Sequence, residues 1–330
     1  MTNTQRGVPI FLLLVLLLAA GLLMGLVGPA GAKEITIVAP SGVSVTPFYY
    51  VVDHKLFEKA GLTVKPIIVT VGKEVIRIFT AGDADIAFTG PGPMGVTIGR
   101  GVPAKVLAFF AYGSVAVVTF DPAIKEVKDL KGKRVAISGP GSASEVIGRI
   151  VLYELGLDPH KDAQVRPMTG PEMLKAGKLG EVDAAITWPP NAQAMVIENP
   201  KARILVDVNA EWRRIFNTPV PAVWHGLLVK EKFLQEQAEA VKKIQQVLAE
   251  AVRKVQHDEE EQVRLLVKYE RMREEWARPA VKSGMVVFNP NPTVLTHAER
   301  ESMMKIMDYM HRFGYIKEKL TPERLFFEWK

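Results

Sequence analysis

An α/β fold built from two similar halves is the class this sequence predicts, and three observations carry it. Short apolar runs alternate with amphipathic segments along most of the chain. One pattern of turn and strand recurs 95 to 98 residues further on. Loops rich in Gly, Pro and small hydroxyls fall where the strands end, which is where such sheets take ligands.

The 330 residues are 48% hydrophobic and 24% charged, enough apolar mass for two cores. No cysteine is present, which excludes a disulfide scaffold, a thiol nucleophile, a zinc knuckle, an iron–sulfur cluster and a cysteine-linked lipid anchor. The net charge of +6 is moderate, and the basic residues are interleaved with acids. That distribution argues against nucleic acid as a partner.

Residues 1–32 read as an export signal: Arg6, an apolar run from Val8 to Val27, then Gly28, Pro29 and the triplet Ala30, Gly31, Ala32. Cleavage after Ala32 leaves 298 residues with charge +5. A run of about 20 apolar residues also suits a retained anchor, the rival reading. Either way the folded part lies outside the cytoplasmic membrane.

Ile35–Ala39 reads as the first strand, and Thr46 with Pro47 as the cap and first turn of a helix that stops at Gly61. A strand at Thr63–Val71, a helix near Val75–Ala81 and a strand at Asp85–Phe88 follow. The order then repeats, with Arg134–Ser138 as strand, Ala143–Leu155 as helix and Gly156 as stop. Gly82-Asp83-Ala84-Asp85-Ile86-Ala87 answers Gly180-Glu181-Val182-Asp183-Ala184-Ala185. The valine-rich stretches Ser114–Phe120 and Pro221–Val229 suit crossovers between lobes. Three spans follow: 33–118 as the first part of one lobe, 119–220 as the second lobe, and 221–330 as the return with helical completion. Within the last, Ala238, Val241, Ile244, Val247, Leu248 and Val252 form an apolar stripe, and Thr296–Phe313 is a closing helix.

The loops at the strand ends nominate Ser41, Thr46, Glu74, Thr89, Gly90, Ser142, Ala143 and Ser144 as ligand contacts. Ser142 with Glu145 fits a capping box, and the helix start beside it suits an anion. Trp188, Trp224 and Phe48 are candidate aromatic walls. Lys73, Glu74 and His225 are left open as cleft residues. The six histidines are scattered, and no nucleophile elbow, P-loop or complete dinucleotide fingerprint follows a strand. No catalytic residue, metal or cofactor is predicted; the chain reads as a binder.

These residues resemble those of the solute-binding proteins of ABC importers in the nitrate, taurine, aliphatic-sulfonate and thiamine-precursor group. The resemblance runs through Pro47-Phe48-Tyr49, Leu56-Phe57, Ala81 to Pro91, Asp129 to Ala136 and Gly180 to Trp188, covering roughly residues 35–230. It implies a periplasmic-binding-protein fold with two crossovers, capture of a small anionic or heterocyclic solute by hinge closure, and delivery by a monomer to a membrane permease. It also implies that Thr89-Gly90, Ser142–Ser144 and Trp188 line the cleft. Two departures stand out: Pro189 replaces a common acidic residue, and Lys55 stands where the family usually has glycine. The alternatives are a membrane-anchored sensor or lipid-shuttling receptor, and an enzyme of thiamine-pyrimidine or menaquinone-pathway type on the same fold.

Overall fold

The carboxylate of Asp85 accepts the backbone N–H of Thr36 at 3.0 Å, and that of Asp183 accepts Arg134 N–H at 2.8 Å. Each bond reaches back 49 residues, so the repeated Asp does the same work in both halves. It ties the start of the third strand of a half to the start of its first. The computed structural model describes residues 34–70, 72–113 and 115–329; the export segment 1–32 and its cleavage position lie outside them.

The first sheet is ordered β2-β1-β3-β11-β4, from Val64–Val69, Ile35–Pro40, Ile86–Thr89, Gly226–Lys230 and Ala104–Phe109 respectively. The second is ordered β10-β6-β9-β7-β8, from Arg203–Asp207, Ala116–Thr119, Ala184–Thr187, Arg134–Ile137 and Gln164–Pro167. Read outward from β2 and from β8, the two sheets have one topology. In each, three parallel strands meet one antiparallel strand, β11 or β6, and an edge strand beyond it. The β-like, valine-rich stretches read as crossovers contribute strands β6 and β11. Each is the strand that a crossover delivers to the opposite sheet, and its buried apolar residues pack on two faces.

The chain crosses between the sheets after β4 and again just before β11. The third, two-stranded sheet pairs β5 (Ala111–Gly113) with β12 (Val286–Phe288), and Tyr112 also bridges to Val223. Glu299, wholly buried, fastens this hinge. It accepts from the Tyr112 hydroxyl at 3.0 Å, Asn289 Nδ2 at 2.9 Å and the backbone and hydroxyl of Thr296. Val223 N–H donates to Ser302 Oγ at 3.2 Å. The helix His297–Arg312 that carries Glu299 and Ser302 packs on both Pro91–Gly99 of the first lobe and Ala143–Glu154 of the second. The expected apolar stripe lies on Ala238–Val255, whose Val241, Ile244, Leu248 and Val252 are buried in the core on one face of the first sheet.

The first helix is Thr46–Asp53, with Thr46 inside it rather than capping it; the Thr46 hydroxyl bonds back to Val43 O at 2.8 Å. The helix breaks at Lys55, which holds a left-handed φ of 52°, before the turn Leu56–Lys59. That conformation costs a side-chain residue roughly 1–2 kcal/mol, a penalty glycine avoids. Lys55→Gly should raise unfolding stability by up to about 1 kcal/mol, net of glycine's entropy cost. Urea denaturation checks this; a loss of stability would contradict it.

Asp183 has a lowered pKa because the Arg134 side chain bonds it, with the Arg134 backbone N–H adding to the effect against the penalty of burial. A carboxyl depressed on folding stabilises the native state above its unfolded pKa of about 3.9; the contribution drains as pH falls through the folded value. Asp183→Asn should cost about 1–3 kcal/mol at neutral pH. Its gap from wild type should close as the pH drops below about 4. A gap unchanged across that window in acid denaturation contradicts the assignment.

Candidate functional site

The carboxyl ends of β1 and β3, with the return crossover, form the first-lobe wall. After β1, Ser41 is half-buried with its hydroxyl 3.4 Å from Thr70 O, and Gly42 takes a φ of 135°. Ser44 is buried, and its Oγ lies 2.7 Å from Nδ1 of His225. Burial pushes the His225 imidazole down to about 3, so it is neutral at physiological pH. Its ring meets Phe88 edge-on and lies beside Trp224. Thr89, also buried, ends β3 opposite Gly226. Gly90 then opens Pro91–Gly99, with prolines at the first and third positions of the helix.

The second-lobe wall is richer in hydroxyls. Ser138 Oγ lies 2.6 Å from both Ser142 Oγ and Ser144 Oγ, closing a three-hydroxyl cluster at the start of Ala143–Glu154. Thr187, at the end of β9, is fully buried, and its hydroxyl has no partner among the described residues. A buried unpaired hydroxyl asks for an explanation. Trp188 follows, half-buried against two buried clusters, one of which continues into the first lobe, and the Pro189–Pro190 peptide is cis.

The expected capping box is not formed. Ser142 makes no side-chain cap, because its hydroxyl turns to Ser138. Glu145 reaches one residue further back: its Oε2 accepts Gly141 N–H at 3.0 Å. Wholly buried, Glu145 also meets His160 Nε2 at 2.6 Å and the Tyr315 hydroxyl. Tyr315 in turn accepts from Arg149 Nη1 at 3.0 Å, and Arg149 holds Asp158 through two bonds of 3.0 Å. Arg149 lowers the Asp158 pKa against the effect of burial. Sequence spacing shows a four-residue motif here; the partners of Glu145 lie 15 and 170 residues away.

The two walls touch. A Cβ placed on Gly90 would fall 2.5 Å from Ala143 Cβ and 3.5 Å from Trp224 O; one on Gly92 would fall 2.7 Å from Gly141 O. With the walls in contact as here, the Ala143 side chain leaves no room for a Cβ at Gly90, and the Gly141 carbonyl leaves none at Gly92. Elsewhere between the lobes, Arg273 pairs with Glu198, which also binds Lys178. The structure thus brings Gly90, Ser142, Ala143 and Trp224 together, with Thr89 and Ser144 adjoining them in sequence.

Other expected contacts lie elsewhere. Phe48 has no exposed surface: it packs between Phe57 and Phe88 in the core, so an interior place replaces the expected aromatic wall. Thr46 is buried with its hydroxyl spent on Val43 O. Glu74 sits on Gly72–Ala81 and pairs with Arg77 one turn on, at 2.6 Å. Glu270, which no local pattern singles out, enters the first-lobe wall from 228 residues away: its Oε1 accepts Gly42 N–H at 2.7 Å. It also accepts the Tyr49 hydroxyl at 2.9 Å.

Chemically this is a surface for holding a molecule. The Ser44–His225 pair lacks the arrangement of a nucleophile and its base, in which a carboxylate orients the imidazole through Nδ1; here Nδ1 is the atom that meets the serine. What the walls offer is hydroxyls, a neutral imidazole, aromatic faces and backbone groups, on two bodies joined by a hinge.

Among known proteins, a relative in Brucella abortus (strain 2308) is 23% identical over 273 residues, 82% of each chain. The taurine-binding periplasmic protein of Escherichia coli (strain K12) is 24% identical over 191 residues, 58% of this chain and 57% of that one. The crystal structure of the periplasmic aliphatic sulphonate binding protein SsuA from Escherichia coli superposes with a TM-score of 0.72 at 18% identity, covering 90% of this chain and 93% of that one. The fold is that of the periplasmic binding proteins. No helix among the described residues is long and apolar enough to cross a membrane. The model of the NMT1/THI5-like family matches residues 43–262, two thirds of the chain, and the protein belongs to that family.

Proposed function

We propose that this chain is the extracytoplasmic solute receptor of an ABC importer: it captures a small organic molecule between its two lobes and presents the closed form to a membrane permease. In this reading residues 1–32 are the export signal, cleaved after Ala32, and the mature protein acts as a monomer without catalysis. The taurine- and sulphonate-binding relatives support the class. One observation carries it to this chain: the ligand-type loops of two like sheets face each other and meet at Gly90 and Ala143 across a two-crossover hinge. A solute that touches both walls stabilises the closed form by its differential contacts, and that shift is what a permease reads. Ser142, Ser144, Thr89, Trp188 and Trp224 are the proposed contacts, with Ser44 and His225 added from the geometry.

The test is a steric wedge. Gly90 has extended backbone angles (φ −97°, ψ 171°) that valine tolerates, so Gly90→Val should fold normally while its side chain collides with Ala143 on closing. Isothermal titration with taurine, alkanesulfonates, nitrate, aromatic acids and aminopyrimidines identifies a solute for the wild type. For that solute the variant should lose at least tenfold in affinity, about 1.4 kcal/mol, with little change in unliganded melting temperature. Equal affinity in the two proteins would refute closure.

A further inference from the structure

Helix Glu274–Lys282 straps one lobe to the other. Its Ala277 and Ala280 are buried in the core on one face of the first sheet, yet residues flanking both of its ends reach the second lobe. At one end Arg273 pairs with Glu198, the last residue of helix Asn191–Glu198, whose Ala192 and Met195 sit in a second-lobe core. At the other, Met285 is buried in that same core. Its carbonyl accepts Asn209 Nδ2 at 2.6 Å, and its sulfur meets Gln193 Nε2 at 3.4 Å. The two ends stand differently toward the hinge. Met285 adjoins β12, which pairs with β5 in the hinge sheet. Arg273 lies a nine-residue helix away, roughly 13 Å at 1.5 Å per residue. It closely follows Glu270, which holds Gly42 in the first-lobe wall. Glu198 ends the helix that starts at Asn191, just past Trp188 and the two prolines of the second-lobe wall. The pair thus joins an extension of each wall, at the end of the strap remote from the hinge.

Resting on the receptor reading above, we infer that Arg273 and Glu198 form an electrostatic clasp of the closed form, with Arg273 the positioning residue that sets how readily the empty receptor closes. A rotation about the hinge sheet moves the Arg273 end of the strap farthest, so opening parts this pair while Met285 keeps its place. Both charges are held ready on their own lobes. Lys178 binds Glu198 from within the second lobe and travels with it; that bond is the main reason the Glu198 carboxyl titrates below its ordinary range. Arg273 lies with its guanidinium 3.9 Å from the centre of the Trp276 ring and 3.0 Å from Glu275, both on the strap itself. Little side-chain freedom is then lost when the two charges meet. About half of the Arg273 side chain is open to solvent, so salt weakens the clasp.

The chain has no cysteine, so a pair of introduced cysteines carries spin labels at two chosen sites alone. Lys65→Cys on β2 and Lys131→Cys just before β7 use exposed positions, one on each lobe. Pulsed electron paramagnetic resonance then reads the distance between the labels with no solute present. The unliganded parent should show two distances, one of them matching this closed structure. The ratio of closed to open should stay within about twofold of the parent in Arg273→Lys, which keeps the charge. It should fall about two- to fivefold in Arg273→Ala, and further in Arg273→Glu, where two carboxylates face each other. Sodium chloride at about 1 M should draw the four proteins together, and each should melt near the parent because the side chain is half exposed. Equal distance distributions in the parent and Arg273→Glu overturn the inference, as does an order of variants that persists undiminished in high salt. Either result leaves the receptor reading intact, since that reading stands or falls on solute binding.

Discussion

One carboxylate-to-backbone bond, made twice, sets the frame on which everything else hangs. Asp85 to Thr36 and Asp183 to Arg134 each tie the start of a third strand to the start of a first strand. The bond is doubled in each half by the return contact from the aspartate's own N–H, Asp85 to Thr36 O and Asp183 to Arg134 O. With the amino ends of β1 and β3, and of β7 and β9, held level, their carboxyl ends are level too. The loops that follow then emerge at one edge of each sheet, which is the edge where α/β sheets hold ligands. A register slip of a single residue in either half would move its loops out of opposition and turn buried side chains outward.

Two level edges become a cleft because the chain visits each sheet twice. The crossovers deliver β6 and β11 as antiparallel members of the opposite sheets, so neither lobe is complete without its partner's segment. The crossing strands are gathered by Glu299 and Ser302 at the start of His297–Arg312, a helix that then lies along both lobes. The hinge is well bonded, and Arg273 pairs with Glu198 between the lobes. Exposed ion pairs of that kind contribute little, about 0–1 kcal/mol.

The sequence made much of this legible. Alternating apolar runs locate β1, β2, β3 and β7, and the Gly-x-x-Asp repeat marks β3 and β9 as equivalents, whereas β4, β5, β8, β10 and β12 are not singled out. The stripe from Val241 to Val252 is a true covering face. What stays hidden is long-range partnership. Phe48 looks like a wall because it begins a helix beside a ligand loop, yet its neighbours Phe57 and Phe88 close around it. Ser142 and Glu145 have capping-box spacing, but the serine finds Ser138 and the glutamate finds Gly141, His160 and Tyr315. Glu270 is one acid among many on a charged helix until folding brings it to Gly42. Local pattern predicts elements; the charge of a pocket depends on side chains that arrive from far along the chain.

The central claim is that solute binding draws two lobes together about a bonded hinge into the closed form described above, with Gly90 against Ala143. Small-angle X-ray scattering on the protein with and without a saturating solute tests it most directly. The account predicts a smaller radius of gyration on saturation and a liganded profile that fits this closed structure, with the unliganded profile fitting it worse. Identical profiles in the two states, with binding verified in the same sample, would contradict it.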